Sequence, residues 1–265
     1  MVKESGIPRE QMLASFCDTQ NEAACTYEHI KTLSRDVFPV ITLATEGFYN
    51  LAKRKKRFPS TKARFCTQEL KLKVTQRFLD ELAERYDEVV PCSGVRRGES
   101  SARAKLTEWG DTLDSYFHVR EWRPLISWTL ADVLAIHEKY GIPLNPLYSQ
   151  GARRVGCFPC VMSNKAEMRA LSQNYPERIE ELRRWEEELG STFFPPNTTP
   201  DRFKSRAVDT KQGRRVKVCS IDDVIAWARS GWRAKGPSPD VDGLFDDQAK
   251  DLPPQICLSQ HLACE

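Results

Sequence analysis

Long apolar runs are missing from this sequence of 265 residues. No stretch approaches the roughly 20 residues that span a bilayer. The opening Met1-Val2-Lys3-Glu4-Ser5 lacks the apolar core of a secretory leader. Both absences point to a cytoplasmic protein without a membrane partner. An excess of one charge is missing too: 40 Lys and Arg stand against 37 Asp and Glu, a net of +3. That balance gives little support to a nucleic-acid partner. Histidine is scarce, and the four in the chain do not cluster, so a histidine-based catalytic centre has little support. No internal repeat is apparent.

Cysteine, by contrast, is abundant, with nine in the chain. The odd total and irregular spacing suit a disulfide framework poorly, which leaves metal binding or redox chemistry as the better expectation. With 40% hydrophobic and 29% charged residues the chain is not globally disordered. Its length suits one substantial core, or a core with a small appendage.

Strands and helices alternate along the first half. Met12 to Cys17 reads as a buried strand, Asn21 to Ser34 as a helix, Val37 to Leu43 as a second strand and Glu46 to Ala52 as a short helix. A basic connector, Lys53 to Arg64, precedes a long amphipathic helix over Thr67 to Tyr86, with Leu70, Val74, Phe78 and Leu82 every fourth residue. Glu88 to Val95 is predicted as a third strand, and His118 to Trp128 holds another extended segment. Thr129 with Asp132, and Ser220 with Asp223, are capping boxes that each open a helix. Gly141 to Cys160 reads as loop, Pro176 to Leu189 as a charged helix, and Ser191 to Pro200 as irregular. The pattern predicts an α/β fold with a parallel sheet and helices on both faces. The expected division is an α/β domain over residues 1–165 and a helical extension over 166–265 that ends in a Cys-bearing tail. In such sheets ligands bind beyond the carboxyl ends of the strands, which makes Asp18-Thr19 and Ser93 to Arg97 candidates for one shared site.

Four segments carry chemistry. In Ser93-Gly94-Val95-Arg96-Arg97, Gly94 would let the backbone turn tightly after a strand. Arg96, Arg97 and Arg103 would grip an anion, because guanidinium forks match phosphate or sulfate oxygens. A solvated basic turn is the competing view. In Arg153-Arg154-Val155-Gly156-Cys157-Phe158-Pro159-Cys160, a CxxC turn brings two sulfurs to one side, which suits one metal. The adjacent Arg153 and Arg154 would favour thiolate and attract an anion. In Arg64-Phe65-Cys66-Thr67, Cys66 sits near a helix start, where a thiolate is stabilised. At the C-terminus, Cys257, His261 and Cys264 fall within nine residues, a pattern that packing explains poorly. Cys219, just before a capping serine, reads as structural.

Taken in order, Asp18-Thr19, Arg64-Phe65-Cys66-Thr67, Gly94-Val95-Arg96-Arg97 with Glu99-Ser100 and Arg103, Arg123-Pro124-Leu125-Ile126-Ser127-Trp128, Asn145-Pro146-Leu147-Tyr148 and Arg154-Val155-Gly156-Cys157-x-x-Cys160 resemble the phosphoadenylyl-sulfate (PAPS) and adenylyl-sulfate (APS) reductase family, over roughly residues 10 to 165. The resemblance implies an adenine-nucleotide α-hydrolase-like fold. It implies an adenylyl sulfonucleotide substrate held by Asp18, Thr19, Arg64, Gly94, Arg96, Arg97, Arg103, Arg153 and Arg154. It also implies a [4Fe-4S] cluster on Cys66, Cys157, Cys160 and a fourth thiol, with Cys257 ahead of Cys264 and Cys219, zinc being the alternative metal. Cys264 would be the nucleophile that attacks the sulfonucleotide sulfur, and thioredoxin would resolve the product as sulfite leaves. One feature departs from the family: its opening strand and phosphate loop are not found here, and Met1 to Pro8 resembles the end of the helix that follows them. A natural start further upstream, or a fragment, is the expectation.

The leading functional expectation is therefore reduction of PAPS or APS to sulfite. The alternatives are an ATP-using sulfur-transfer enzyme of the same superfamily acting in nucleic-acid modification, and a non-catalytic nucleotide- or metal-binding module. Association into a homo-oligomer stays open.

Overall fold

The computed structural model describes residues 5–111, 117, 119–152, 154–209 and 213–231. Strand β1, Ala14–Asp18, pairs in parallel with β2, Val40–Ala44, Ala14 lying opposite Val40 and Asp18 opposite Ala44. Parallel neighbours need a crossover, and helix α1, Ala24–Asp36, supplies it. The second strand starts later than the apolar run from Val37. Pro39 has no N–H to give a ladder, and Val40 spends its own on Ser34 Oγ at 3.0 Å.

Helix α2, Phe48–Lys55, follows β2 at once. Gly47 before it has φ 82°, and a Cβ there would lie 2.6 Å from Gln20 Oε1, so only glycine fits. The Phe48 N–H donates to the Thr19 carbonyl at 2.7 Å, and Thr45 Oγ1 donates to the Asp18 carbonyl at 2.6 Å. The carboxyl ends of both strands and the start of α2 are thereby stitched into one rim.

The predicted amphipathic helix is present as a continuous rod in three parts: α3, Phe65–Thr67, a π-turn over Gln68–Leu72, and α4, Lys73–Ala83. The third strand predicted over Glu88 to Val95 does not form. Pro91 lacks the N–H a ladder needs, and the segment keeps a single parallel bridge from Cys92 to Trp122. Trp122 belongs to β4, Glu121–Trp122, which pairs antiparallel with β3, Trp109–Gly110. Gly110 has no room for a Cβ, which would sit 2.5 Å from the Arg123 guanidinium. That guanidinium is buried and paired to Glu121 at 2.7 Å.

Both capping boxes form as predicted, Thr129–Asp132 opening α5, Leu130–Lys139, and Ser220–Asp223 opening α8, Ile221–Arg229. Between them lie α6, Lys165–Asn174, α7, Pro176–Leu189, and a hairpin of β5, Arg206–Asp209, with β6, Arg215–Val218. Neither α6 nor the hairpin figures in the sequence pattern above. The fold is thus α/β, with a parallel strand pair joined by a crossover helix and a helix-rich C-terminal part.

The main hydrophobic core runs straight across position 165. Phe48 and Leu51 of α2 and Leu70 of the π-turn pack in one cluster with Met168, Leu182, Trp185, Ile221 and Val224. Burying each such side chain contributes about 1.5–3 kcal/mol. The irregular segment 191–200 buries Phe193 and Phe194. The buried Glu186 carboxylate holds it, accepting the Phe193 N–H at 2.7 Å and the Ile221 N–H at 3.0 Å. Burial raises the Glu186 pKa, and those two N–H groups only partly offset it. Among the described residues no helix is long and apolar enough to cross a membrane.

Candidate functional site

A cavity of about 200 Å³ opens beyond the carboxyl end of β1. Three segments far apart in sequence build its reactive walls. The helical rod contributes Cys66, Thr67, Leu70 and Lys71, with Arg64 just before it. The loop contributes Arg154, Cys157 and Cys160, and the strand end contributes Thr19. The π-turn lies in the cavity wall, a common association of such turns with functional sites.

The CxxC loop is fastened to the strand end. Cys157 forms an antiparallel bridge with Glu22, and the Phe158 N–H donates to the Asn21 carbonyl at 2.5 Å. Thr19 Oγ1 donates to Glu22 Oε1 at 2.7 Å and lies 3.7 Å from Cys157 Sγ. Arg154 Nη2 donates to Cys160 Sγ at 3.2 Å, while the Cys160 N–H goes to Ser163 Oγ at 3.2 Å. Asn145, buried, turns the preceding loop. Its Oδ1 accepts the Leu147 N–H at 2.9 Å and its Nδ2 donates to Thr26 Oγ1 at 3.2 Å, which sets Leu147 in the cavity wall.

Burial governs the Cys157 and Cys66 thiols. It pushes the Cys157 thiol pKa up; Lys71 and Thr19 pull against it, while Glu22 and Cys160 add to the rise. Burial also pushes the Cys66 thiol up, helped by Cys160, and the Thr67 amide and hydroxyl and Arg64 do not reverse it. The thiolate stabilisation expected of Cys66 at a helix start is therefore outweighed by desolvation.

The other sequence-derived candidates lie elsewhere. Asp18 Oδ1 accepts the Tyr27 hydroxyl at 2.7 Å and the Gln20 N–H at 2.9 Å, so it organises the turn behind the cavity. Arg96, Arg97 and Arg103 are not in the cavity wall. Arg96 Nε sits 3.4 Å from Glu99 Oε1, Arg103 Nη1 donates to Glu99 Oε2, and Arg97 Nε donates to the Leu106 carbonyl at 3.3 Å. Gly94 lies outside the left-handed backbone region, and a Cβ there would make only an ordinary 3.8 Å contact with Leu125, so nothing in the fold demands glycine at this position. Cys219 is fully buried, its Sγ 3.4 Å from the Pro195 carbonyl oxygen. Arg153, Cys257 and Cys264 lie outside the described residues. Lys71 escaped the sequence reading; its signal was its place one helical turn and a residue beyond Cys66 on the same rod.

Three thiols around one cavity are the right donor chemistry for zinc or an iron–sulfur cluster. Among the described residues no three His, Cys, Asp or Glu side chains gather into a group that could hold a metal ion, and the expected fourth ligand, Cys257, lies outside them.

Comparison with known proteins bears on this site. The profile of the phosphoadenosine phosphosulfate reductase domain matches residues 7–163. An uncharacterized 37.8 kDa protein of Escherichia phage 186 is 41% identical over 217 residues, 78% of this chain and 65% of that protein. The adenosine 5'-phosphosulfate reductase of Burkholderia cepacia is 38% identical over 68 residues, 26% of each. A crystal structure of phosphoadenylyl-sulfate reductase from Candida auris in a phosphate complex is 20% identical, covering 54% of this chain and 68% of that one at a TM-score of 0.42. The chain spans less than two thirds of the length of the phage protein and of the Burkholderia reductase.

Proposed function

From the premise that this chain belongs to the phosphoadenosine phosphosulfate reductase family, we propose that its cavity binds an adenylyl sulfonucleotide whose sulfonyl group is reduced to sulfite by a thiol. The observation that carries the reading is the convergence of Cys66, Cys157 and Cys160 with Arg64, Lys71 and Arg154 on one cavity at the strand ends. Cations at that wall suit a phosphosulfate.

The chemistry balances with thiols alone. A thiolate attacks the sulfonate sulfur, the sulfur–oxygen bond to the phosphate breaks, and the adenosine phosphate departs as an anion. A second thiol then attacks the resulting S-sulfocysteine, sulfite leaves, and a disulfide remains. Two thiols are oxidised as one sulfur is reduced. Cys264 is the proposed nucleophile, with thioredoxin or another dithiol as the reductant. Arg64, Lys71 and Arg154 hold the anion and favour the departing phosphate charge. Thr19 fixes the Cys157 wall against the strand end. A [4Fe-4S] cluster or zinc on Cys66, Cys157, Cys160 and Cys257 is a separate proposal. No step above passes through it.

The test is sulfite release from PAPS or APS by the purified protein with thioredoxin or dithiothreitol. Sulfite with stoichiometric adenosine phosphate supports the reading. No sulfite from either nucleotide, or pyrophosphate release from ATP instead, overturns it. A brown anaerobic preparation absorbing at roughly 400 nm supports the cluster; a colourless protein with one zinc supports the alternative metal.

A further inference from the structure

The two cysteines of the CxxC loop are separated by Phe158 and Pro159, and the polar backbone atoms of those two residues are all held. The Phe158 N–H donates to the Asn21 carbonyl at 2.5 Å. The Pro159 carbonyl accepts from Asn21 Nδ2 at 3.4 Å. The Phe158 carbonyl accepts from Arg178 Nε at 2.7 Å. Arg178 Nη2 also donates to Asn21 Oδ1, so one guanidinium bonds both the loop and the asparagine that holds the rest of it.

Arg178 is itself fixed on two further sides. Its side chain is only 14% exposed, Nη1 pairs with Glu181 one turn along α7, and the guanidinium carbon stands 4.7 Å from the Trp185 ring centroid. Trp185 in turn stacks on Tyr49 of α2 at 4.5 Å and 7°. A planar fork held by a ring and a carboxylate is a rigid brace. Arg178 is not in the cavity wall, and its hydrogen bonds go to the Phe158 carbonyl, Asn21 and Glu181, so its action on the thiols runs through the loop backbone. It also lies beyond residues 7–163, the segment the family profile matches.

We infer that Arg178 is a positioning residue that sets the placement of Cys157 and Cys160, so that α7 is a working part of the thiol site rather than an appendage to it. The inference rests on the proposed function, in which the Cys157–Cys160 wall borders the cavity that binds the nucleotide.

The test is site-resolved iodoacetamide labelling of the full chain, followed by mass spectrometry, in the native protein and in Arg178→Ala, Arg178→Lys and Arg183→Ala. Arg183 is the control, because it shares α7 but pairs with Glu180 and Asp222. In Arg178→Ala the labelling rates of Cys157 and Cys160 should change by about tenfold, the factor expected from losing a charge-assisted hydrogen bond. Cys17, Cys92 and Cys219 should hold their native rates. Arg178→Lys should restore part of the pattern, and Arg183→Ala should leave it native. Parallel changes at all cysteines would mean general loosening and would overturn the inference, as would native rates at Cys157 and Cys160 in Arg178→Ala. Sulfite release is measured separately. If the labelling shifts as expected while no variant and no native protein releases sulfite, the positioning role stands and the reductase reading falls.

Discussion

Two sets of arginines in this chain look alike in sequence and differ in the fold. Arg64 and Arg154 face a cavity that also holds three thiols. Arg96 and Arg103 converge instead on one carboxylate, Glu99, and Arg97 spends its Nε on a carbonyl. The first pair leaves cationic surface for a ligand. The second group has already met its counter-charge within four residues. Sequence shows where guanidinium groups are; the neighbouring carboxylate decides whether they are available.

That contrast sets what substitutions should do. Cys157→Ser or Cys160→Ser, by altering the wall that the nucleotide would meet, should lower sulfite release by about 100-fold, the scale on which a small misplacement of substrate costs rate, while Arg96→Ala stays within a few-fold. Equal losses in both regions, seen in steady-state assays, would erase the contrast. Burial keeps Cys66 and Cys157 protonated above the ordinary thiol range. Because only the thiolate reacts, their iodoacetamide labelling should be slow at pH 7 and climb by about tenfold per pH unit as pH rises toward the raised pKa. A profile flat over pH 7–9 would show that the cations at the cavity outweigh desolvation. Calorimetric titration with PAPS should show Arg154→Ala weakening binding about tenfold, against about threefold or less for Arg103→Ala. Should Arg103→Ala cost as much, the ligand must draw Arg103 off Glu99. The smallest effect is expected from Glu99→Gln. Arg96 and Glu99 are half-buried and Arg103 exposed; at about 1 kcal/mol, the top of the range for surface ion pairs, freeing Arg96 and Arg103 should tighten phosphate or PAPS binding by about fivefold, and no change would mean that those arginines never meet the ligand.

Much of the fold was legible where local chemistry is strong. The capping boxes at Thr129 and Ser220 announced α5 and α8, and the fourfold spacing of Leu70 to Leu82 announced the long rod. Asn164 with Glu167 is the same signal for α6 and could have been read from sequence. The third strand looked plausible on Val89-Val90, but Pro91 breaks the ladder at its centre. The hairpin of β5 and β6 carries few buried side chains, so its alternation is faint. For the site, the motif order brought Cys66, Cys157 and Cys160 to attention, and all three line the cavity. Arg178 was illegible, because its bonds to Phe158 and Asn21 depend on how α7 packs on α2 and are marked by no local pattern. Nor did the boundary expected near residue 165 show that one apolar core spans both sides of it.

The π-turn over Gln68–Leu72 has a consequence for descent as well as for shape. A π-turn holds one residue more than the α-helix it interrupts, and each residue of an α-helix turns the chain by about 100°. Losing any single residue from this stretch would let the rod run on as plain α-helix with Leu79 still against the core. Because a π-turn absorbs its extra residue within itself, Cys66 and Arg64 would still face the cavity, and the change would fall on the wall that the turn itself supplies at Leu70 and Lys71. A lineage could thus gain or lose three nucleotides here with its fold and the direction of Cys66 kept, which makes the length of this segment a telling trait among relatives.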